Sequence, residues 1–169
     1  EPPAVDTLIR VRSAAEMHAA VLGTDADVVV MAAAVADYTP AEPAEGKMAK
    51  SDGPLTLTLK RTPDILADLA ARRARTGGDR PVLVGFAAET SDVLAKARDK
   101  RARKQVDLIV ANDVSQPDRG FDVETNAVTI VGDPGEQHVP LQSKAGVAAA
   151  ILDRIETLLS AGVPAPART

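Results

Sequence analysis

Three nearly continuous apolar runs, with helix-like segments between them, constrain the fold of this chain more than any other feature. They lie at residues 27–34, 81–89 and 107–113. A strand that is apolar along its whole length is typical of a sheet whose two faces are both covered. Because helical segments separate the three runs, we predict an α/β fold with a mainly parallel sheet flanked by helices.

Four segments carry helix signals, and the predicted helices cover residues 13–22, 62–75, 90–104 and 146–159. Ser13 and Glu16 form a capping box at the start of the first helix. Thr62-Pro63-Asp64 supplies an N-cap, a proline at the first helical position and an acidic side chain in the first turn. Thr90 or Ser91 is expected to cap the third helix, which is rich in lysine and arginine.

The remaining segments predict loops and antiparallel strands. Residues 55–60 (LTLTLK) alternate with period two, which is typical of a half-exposed strand. Residues 36–53 contain several prolines and glycines and are predicted to form a long loop. Residues 126–142, with Asp133-Pro134-Gly135 at their centre, predict a hairpin that is added to the parallel sheet as an antiparallel element.

Composition narrows the class of protein. The chain is 45% hydrophobic and 26% charged, which is typical of a soluble globular protein, and we predict a single domain over residues 1–169 with a flexible tail at 161–169. The absence of cysteine excludes disulfides, thiolate nucleophiles and cysteine-based zinc sites. His18 and His138 lie far apart in the sequence and lack a positioned partner, so we interpret them as solvated side chains.

The charge balance and the hydropathy pattern exclude two kinds of partner. The formal net charge is −4, so we expect no nucleic-acid surface. No apolar run reaches the roughly 18 residues that a membrane-spanning helix needs, so we expect no membrane partner and a cytoplasmic location.

Polar or aromatic residues follow each apolar run, where a ligand is expected to bind. In open α/β sheets the ligand lies beyond the carboxyl ends of the strands. Here those ends are residues 35–38, 85–90 and 111–115. Asparagine, aspartate and threonine also form turns and caps, so any one of these clusters has a purely structural explanation. Three clusters at one edge of a sheet favour a ligand crevice.

Lysines near this edge indicate an anionic ligand. Lys47 and Lys50 follow the first apolar run, and Lys100 and Lys104 share a face of the basic helix. That helix face fits either a solvated basic surface or an anion site to which the amino end of the 62–75 helix adds its dipole. Neither G-x-x-x-x-G-K-[ST] nor G-x-G-x-x-G occurs in the chain.

Six motifs, in the order and spacing of one family, cover the chain from about residue 13 to residue 159. They are AAAVADY with K-x-x-K ten residues after its aspartate, RTPDIL, VGFAAET, KRARK, DLIVANDVS and GFDVETNAVTIV. With these motifs the chain closely resembles the bacterial, CTP-dependent type of phosphopantothenate–cysteine ligase, also called phosphopantothenoylcysteine synthetase. The resemblance implies a Rossmann-like sheet.

The resemblance also implies an activity in coenzyme A biosynthesis. In this family the carboxylate of 4′-phosphopantothenate attacks the α-phosphate of CTP and gives an acyl-cytidylate and pyrophosphate. The amine of L-cysteine then displaces CMP. The resemblance further implies Mg²⁺ together with CTP, a homodimer, and FMN only where a flavin decarboxylase domain is fused upstream.

The residues that match the family's nucleotide contacts are Met31, Ala32, Ala33, Asp37, Lys47, Pro63, Asp64, Ile65, Leu66, Phe86, Lys100 and Lys104. Lys47 matches the first lysine of the family's K-x-K-K flap and is the implied catalytic residue, because its ammonium would neutralise charge on the reacting phosphate. Asn112 and Asp113 are implied to shape the acceptor pocket.

Two departures and two alternatives qualify the resemblance. Ala49 stands at the third position of the lysine flap, so Lys50 alone would supply a second charge. The family's first strand, glycine- and serine-rich turn and helix have no counterpart here, so we expect this chain alone to be impaired as an enzyme. The alternatives are a non-catalytic nucleotide-binding regulatory module, which has little need of Lys47, and a flavin- or NAD-binding oxidoreductase, which the missing G-x-G-x-x-G disfavours.

Overall fold

The computed structural model describes residues 4–43, 46, 53–115 and 123–161 of the chain. It divides into two compact units. We call them the hairpin unit, Glu1–Asp25 with Ala33–Ile65, and the sheet unit, Ala26–Ala32 with Leu66–Thr169. The single domain over residues 1–169 stays a prediction, and most of the expected tail lies outside the described residues.

Four helices and seven strands occur in the described ranges. In chain order they are α1 (Ala14–Leu22), β1 (Val28–Met31), β2 (Tyr38–Pro40), β3 (Leu59–Arg61), α2 (Ile65–Thr76), β4 (Val82–Glu89), α3 (Val93–Lys104), β5 (Leu108–Asp113), β6 (Thr125–Gly132), β7 (Gly135–Ser143) and α4 (Lys144–Ala161).

The sheet unit contains one five-stranded sheet in the order β1-β4-β5-β6-β7. Strands β1, β4 and β5 are parallel to one another, and β6 and β7 are added as an antiparallel hairpin. The predicted Rossmann-like α/β sheet with an antiparallel addition is therefore confirmed. The hairpin turns at Asp133-Pro134, between Gly132 and Gly135, as the turn residues predicted.

The core of the sheet unit lies on both faces of this sheet. On one face Val84, Val110 and Ile130 pack with Ile151 and Ile155 of α4. Side chains alternate between the faces of a strand, so Leu83 and Ile109 point to the opposite face. Both are fully buried, as is Leu69 of α2. Burial on both faces explains why β4 and β5 are apolar along most of their length.

A set of polar contacts fastens α2 to the sheet where β4 and β5 begin. We call this set the Arg73 clamp. The Arg73 guanidinium forms an ion pair with Asp107 and donates hydrogen bonds to the carbonyl oxygens of Pro81 (2.8 Å) and Gln105 (3.0 Å). The same Asp107 carboxylate oxygen accepts the Leu83 N–H at 2.7 Å. The clamp therefore joins α2 to the starts of two neighbouring strands.

In the hairpin unit the capping signal for α1 is confirmed. The Ser13 side chain accepts the N–H of Glu16 at 3.1 Å, and the Glu16 carboxylate accepts the N–H of Arg12 at 2.7 Å. Satisfying N–H groups at a helix start in this way is what selects serine and glutamate at these positions.

The predicted strand over residues 55–60 was wrong for its first four residues, and the predicted loop over 36–53 contains β2. Only Leu59–Arg61 has a strand partner, the antiparallel Tyr38–Pro40. Leu55, Leu57 and Leu59 are 52% to 61% exposed. An alternating pattern predicts a strand because one face becomes buried. Nothing within the described hairpin unit buries these leucines, so pairing is limited to three residues.

The first apolar run was also predicted wrongly, because β1 is not covered on both faces. None of its four residues is buried, and Val30 is 44% exposed. Among the described residues β1 pairs only with β4 and lies at an edge of the sheet. The apolar run extends to residue 34, but the strand ends at Met31. An apolar run thus indicates a strand without indicating its place in the sheet.

Two predicted helix caps differ from the structure. Strand β4 pairs with β5 up to Glu89, so the turn that follows moves the α3 cap from Thr90 or Ser91 to Asp92, whose φ is 51°. Helix α2 begins at Ile65, and the Thr62 hydroxyl donates to the Ala36 carbonyl. Thr62 therefore does not have the capping role that was predicted for it. Helix α4 begins two residues earlier and ends two residues later than predicted.

Candidate functional site

Four of the expected site residues lie around the carboxyl end of β1 and the middle of β4 in the sheet unit. Met31, the last residue of β1, pairs with Gly85 of β4. A β-carbon at Gly85 would lie 2.7 Å from Leu66 Cδ2, so Leu66 of α2 lies directly over this glycine. Phe86, the next residue of β4, packs against the core on the α4 side. Glycine at position 85 is thus what lets α2 approach the sheet here.

Lys100 is joined to the same place by a hydrogen bond. Its Nζ donates to the backbone carbonyl oxygen of Phe86 at 2.7 Å. The lysine is half-buried on α3, which returns across the sheet after β4. This contact holds a positive charge beside the carboxyl half of β4, where a ligand of an open α/β sheet is expected.

Lys104 lies in the last turn of α3, four residues beyond Lys100. A helix rises about 1.5 Å per residue, so the two lysines are offset by roughly 6 Å along the helix axis. Residues four apart share a face of a helix, so Lys104, which is half-buried, lies on the same face of α3 as Lys100.

In the hairpin unit, Thr62 joins the other expected site residues. Its N–H donates to the carbonyl oxygen of Asp37 at 3.0 Å, and its hydroxyl donates to that of Ala36 at 2.6 Å. Asp37 is therefore held beside the segment that carries Pro63 and Asp64. The Thr-Pro pair was the sequence signal for Thr62, but it suggested a helix cap rather than this contact.

The other expected site residues lie after β1, at the start of α2 or outside the described residues. Ala32 and Ala33 are exposed after β1, and the Ala33 carbonyl accepts the Val35 N–H at 3.1 Å in a tight turn. Ile65, the first residue of α2, is buried. Lys47 lies outside the described residues, as does Lys50.

Asn112 carries a buried polar atom without a partner at the carboxyl end of β5. Its Oδ1 is buried and has no hydrogen-bond partner among the described residues. Leaving such an atom unpaired costs about 1–3 kcal/mol, and unpaired buried groups are rare in native structures. Asp113, the next residue, accepts hydrogen bonds from the N–H and the hydroxyl of Ser115.

Two negative findings apply to the part of the chain that the structure describes. It contains no group of three or more histidine, aspartate or glutamate side chains that could hold a metal ion. It also contains no helix that is both long enough and apolar enough to cross a membrane.

Comparison with known protein families shows to which family the chain belongs. The family model of the DNA/pantothenate metabolism flavoprotein C-terminal domain matches residues 1–159. The chain belongs to this family. The match covers more than nine-tenths of the sequence and includes every candidate site residue, so it applies to both units.

Curated relatives of the flavoprotein C-terminal domain family agree with this assignment. The chain is 46% identical over 161 residues to the Coenzyme A biosynthesis bifunctional protein CoaBC of Bacillus subtilis (strain 168), and 94% of the chain is covered. It is 44% identical over 155 residues to the protein of the same name in Vibrio vulnificus (strain YJ016), with 89% covered. The chain spans 38% of the length of each of these relatives.

A solved structure supports the fold of this family member. The crystal structure of the C-terminal domain of a Coenzyme A biosynthesis bifunctional protein CoaBC superposes with a TM-score of 0.69 at 35% sequence identity. The superposition covers 90% of this chain and 65% of that one. The resemblance found in the motifs is therefore confirmed at the level of the family and of its fold.

Proposed function

We propose that this chain is the nucleotide-binding part of a coenzyme A biosynthesis enzyme that joins 4′-phosphopantothenate to L-cysteine at the expense of CTP. The observation that carries the proposal is the hydrogen bond from Lys100 Nζ to the Phe86 carbonyl. It joins two residues that match the family's nucleotide contacts, beside Met31 and Leu66, which match two more. Four matched positions from four separate segments therefore lie close together in the sheet unit, which supports the proposal.

The hairpin unit adds independent support. Asp37, Pro63 and Asp64 match nucleotide contacts, and Thr62 holds the backbone of Asp37 next to the other two. Each unit therefore brings its own share of the matched residues together. The unpaired oxygen of Asn112 supports a further ligand contact, since the proposed acceptor pocket needs polar groups at this edge.

The proposed reaction proceeds in two steps. A carboxylate oxygen of 4′-phosphopantothenate bonds to the α-phosphorus of CTP, and the bond from that phosphorus to pyrophosphate breaks. The nitrogen of L-cysteine then bonds to the acyl carbon of the acyl-cytidylate, loses a proton, and CMP leaves. Charge grows on the phosphoryl oxygens in the first step, so a fixed cation there lowers the barrier. We assign this role to the ammonium of Lys47.

Mg²⁺ is proposed to accompany CTP rather than to occupy a cage of protein side chains. Magnesium is usually held by substrate phosphates with only one or two carboxylates. This fits the described residues, in which the matched carboxylates Asp37 and Asp64 are exposed and no cluster of three or more metal ligands occurs. When bound, the ion would neutralise part of the triphosphate charge. FMN enters the proposal only for a decarboxylase domain fused upstream.

A homodimer is also proposed, with the hairpin unit as the contact. Leu55, Leu57 and Leu59 form an apolar row that is more than half exposed, and β3 has only one partner strand among the described residues. An exposed strand edge with apolar side chains favours pairing with another chain.

Thermal stability with added nucleotide tests the proposal. With a divalent cation, CTP should stabilise the full-length protein more than ATP does. A ligand at 100 times its dissociation constant adds about 2.7 kcal/mol to the free energy of unfolding. Lys100→Gln should reduce this effect, whereas Arg103→Gln removes the same charge from an exposed position on the same helix and should not. Equal stabilisation by ATP and CTP would contradict the preference for CTP. If the protein binds CTP but does not turn it over, the alternative of a non-catalytic nucleotide-binding regulatory module is favoured instead.

A further inference from the structure

We propose that Thr62 is a positioning residue for the nucleotide site, because its hydroxyl fixes the backbone of Asp37 next to Pro63 and Asp64. The inference rests on the proposed function. It concerns a residue whose sequence context suggested only a helix cap, a role that the structure does not give it.

The geometry concentrates two hydrogen bonds on one residue. The Thr62 N–H reaches the Asp37 carbonyl at 3.0 Å, and the Thr62 hydroxyl reaches the preceding carbonyl, that of Ala36, at 2.6 Å. The first bond continues the ladder between β2 and β3, in which Tyr38 pairs with Arg61. The second bond reaches one residue beyond the ladder. Only the side chain of Thr62 can make it.

The hydroxyl controls the direction of one peptide group. A planar trans peptide places its C=O and its N–H on opposite sides. When the Ala36 carbonyl points to Thr62, the N–H of Asp37 must therefore point away from Thr62. Ala36 and Asp37 are both exposed, so packing does little to hold this peptide. Without the hydroxyl the Ala36 carbonyl can turn to water, and the N–H of Asp37, which belongs to the same peptide group, loses its fixed direction.

Substitution of Thr62 separates this role from folding. Thr62→Val keeps the size and the β-branched shape of the side chain and leaves the backbone N–H bond to Asp37 intact. Thr62→Ser keeps the hydroxyl. Thr76→Val is a matched control, because the Thr76 hydroxyl donates to the Arg73 carbonyl at 2.9 Å near the carboxyl end of α2, away from Asp37 in the sequence.

The experiment measures steady-state kinetics and melting temperature of these three variants in the full-length protein. Misplacing a binding group by about 1 Å can cost on the order of a hundredfold in rate, so we expect Thr62→Val to lose roughly 10- to 100-fold in kcat/KM for CTP. The KM for L-cysteine should stay at the wild-type value. Thr62→Ser should restore most of the loss, and Thr76→Val should behave as wild type. Thr62→Val and Thr76→Val should have similar melting temperatures, so that a difference in kinetics between them does not reflect a difference in stability.

Three outcomes would overturn the inference. Wild-type kinetics for Thr62→Val would show that the hydroxyl does not position the site. A loss that Thr62→Ser does not restore would show a structural role only. So would a loss that lowers kcat/KM equally for CTP and for L-cysteine and follows the melting temperature. If wild-type protein consumes CTP, these outcomes bear on Thr62 alone. If it consumes none, the proposed function fails first and this inference fails with it.

Discussion

Replacing Arg73 with methionine should destabilise the sheet unit substantially, because the Arg73 clamp concentrates several hydrogen bonds on one guanidinium. Arg73→Met keeps an unbranched apolar chain and removes the ion pair with Asp107 and the bonds to the carbonyls of Pro81 and Gln105. The Arg73 side chain is only 14% exposed, so water replaces these contacts poorly.

The size of the effect follows from what remains around Asp107. Breaking a fully buried ion pair costs about 3–5 kcal/mol. The Asp107 side chain is 31% exposed and keeps the Leu83 N–H, so its carboxylate is not left wholly unpaired. Hydrogen bonds to charged groups contribute about 1.5–3 kcal/mol. We therefore expect a loss of about 2–3 kcal/mol. At roughly 2–4 °C per kcal/mol for a chain of this size, the melting temperature should fall by about 4–12 °C.

Thermal unfolding followed by circular dichroism gives the measurement, and Arg98→Met gives the control. The hydrogen bond and the charge of Glu136 raise the pKa of Arg98, yet the Arg98 side chain is 57% exposed. Exposed pairs contribute little, so this variant should melt close to wild type. Arg73→Lys should lie between the two, because one ammonium cannot reach all the acceptors of a guanidinium. If Arg73→Met melts as high as Arg98→Met, the clamp does not stabilise the fold.

Three further predictions concern catalysis, packing and assembly. In steady-state kinetics Lys47→Gln should lower kcat by a factor on the order of 10²–10³ and should change CTP binding little. Lys100→Gln should mainly raise the KM for CTP. If Lys47→Gln turns over at the wild-type rate, Lys47 is not catalytic. Gly132→Ala should lower the free energy of unfolding, measured with urea, by about 1–3 kcal/mol, because the added β-carbon would lie 2.9 Å from the backbone oxygen of Asp107. Gly53→Ala is the control and should lower it little, because no described atom lies within 4 Å of the added β-carbon. Leu57→Lys should shift the full-length protein towards monomer in light scattering, and a wild-type protein that is monomeric at micromolar concentration would contradict the proposed homodimer.

Local signals in the sequence predicted elements well. Ser13 and Glu16 predicted the start of α1, and Asp133-Pro134-Gly135 predicted the β6–β7 turn, because in each case the determining contacts lie within a few residues. The buried strands β4 and β5 were also predicted, since both faces of each are covered in the structure.

Properties that depend on distant partners could not be predicted in the same way. The apolar pattern of β1 does not reveal that it lies at an edge, and the leucines of 55–59 do not reveal which strand they pair with. The contacts that define the candidate site join residues far apart in sequence, such as Lys100 with Phe86 and Thr62 with Ala36. Motif resemblance identified most of these residues, but only three-dimensional placement shows how they are held.

The strand order has a consequence for the order of folding. The β6–β7 hairpin closes between Gly132 and Gly135, three residues apart, whereas the register of β1 with β4 joins Val28 to Val82, 54 residues apart. Short loops close at a lower entropic cost than long ones, so local pairing forms early and non-local parallel pairing forms late. The edge strand that ends at the candidate site is therefore expected to join the sheet last and to open first. Amide exchange in β1 should consequently respond to bound nucleotide more than exchange in the hairpin does.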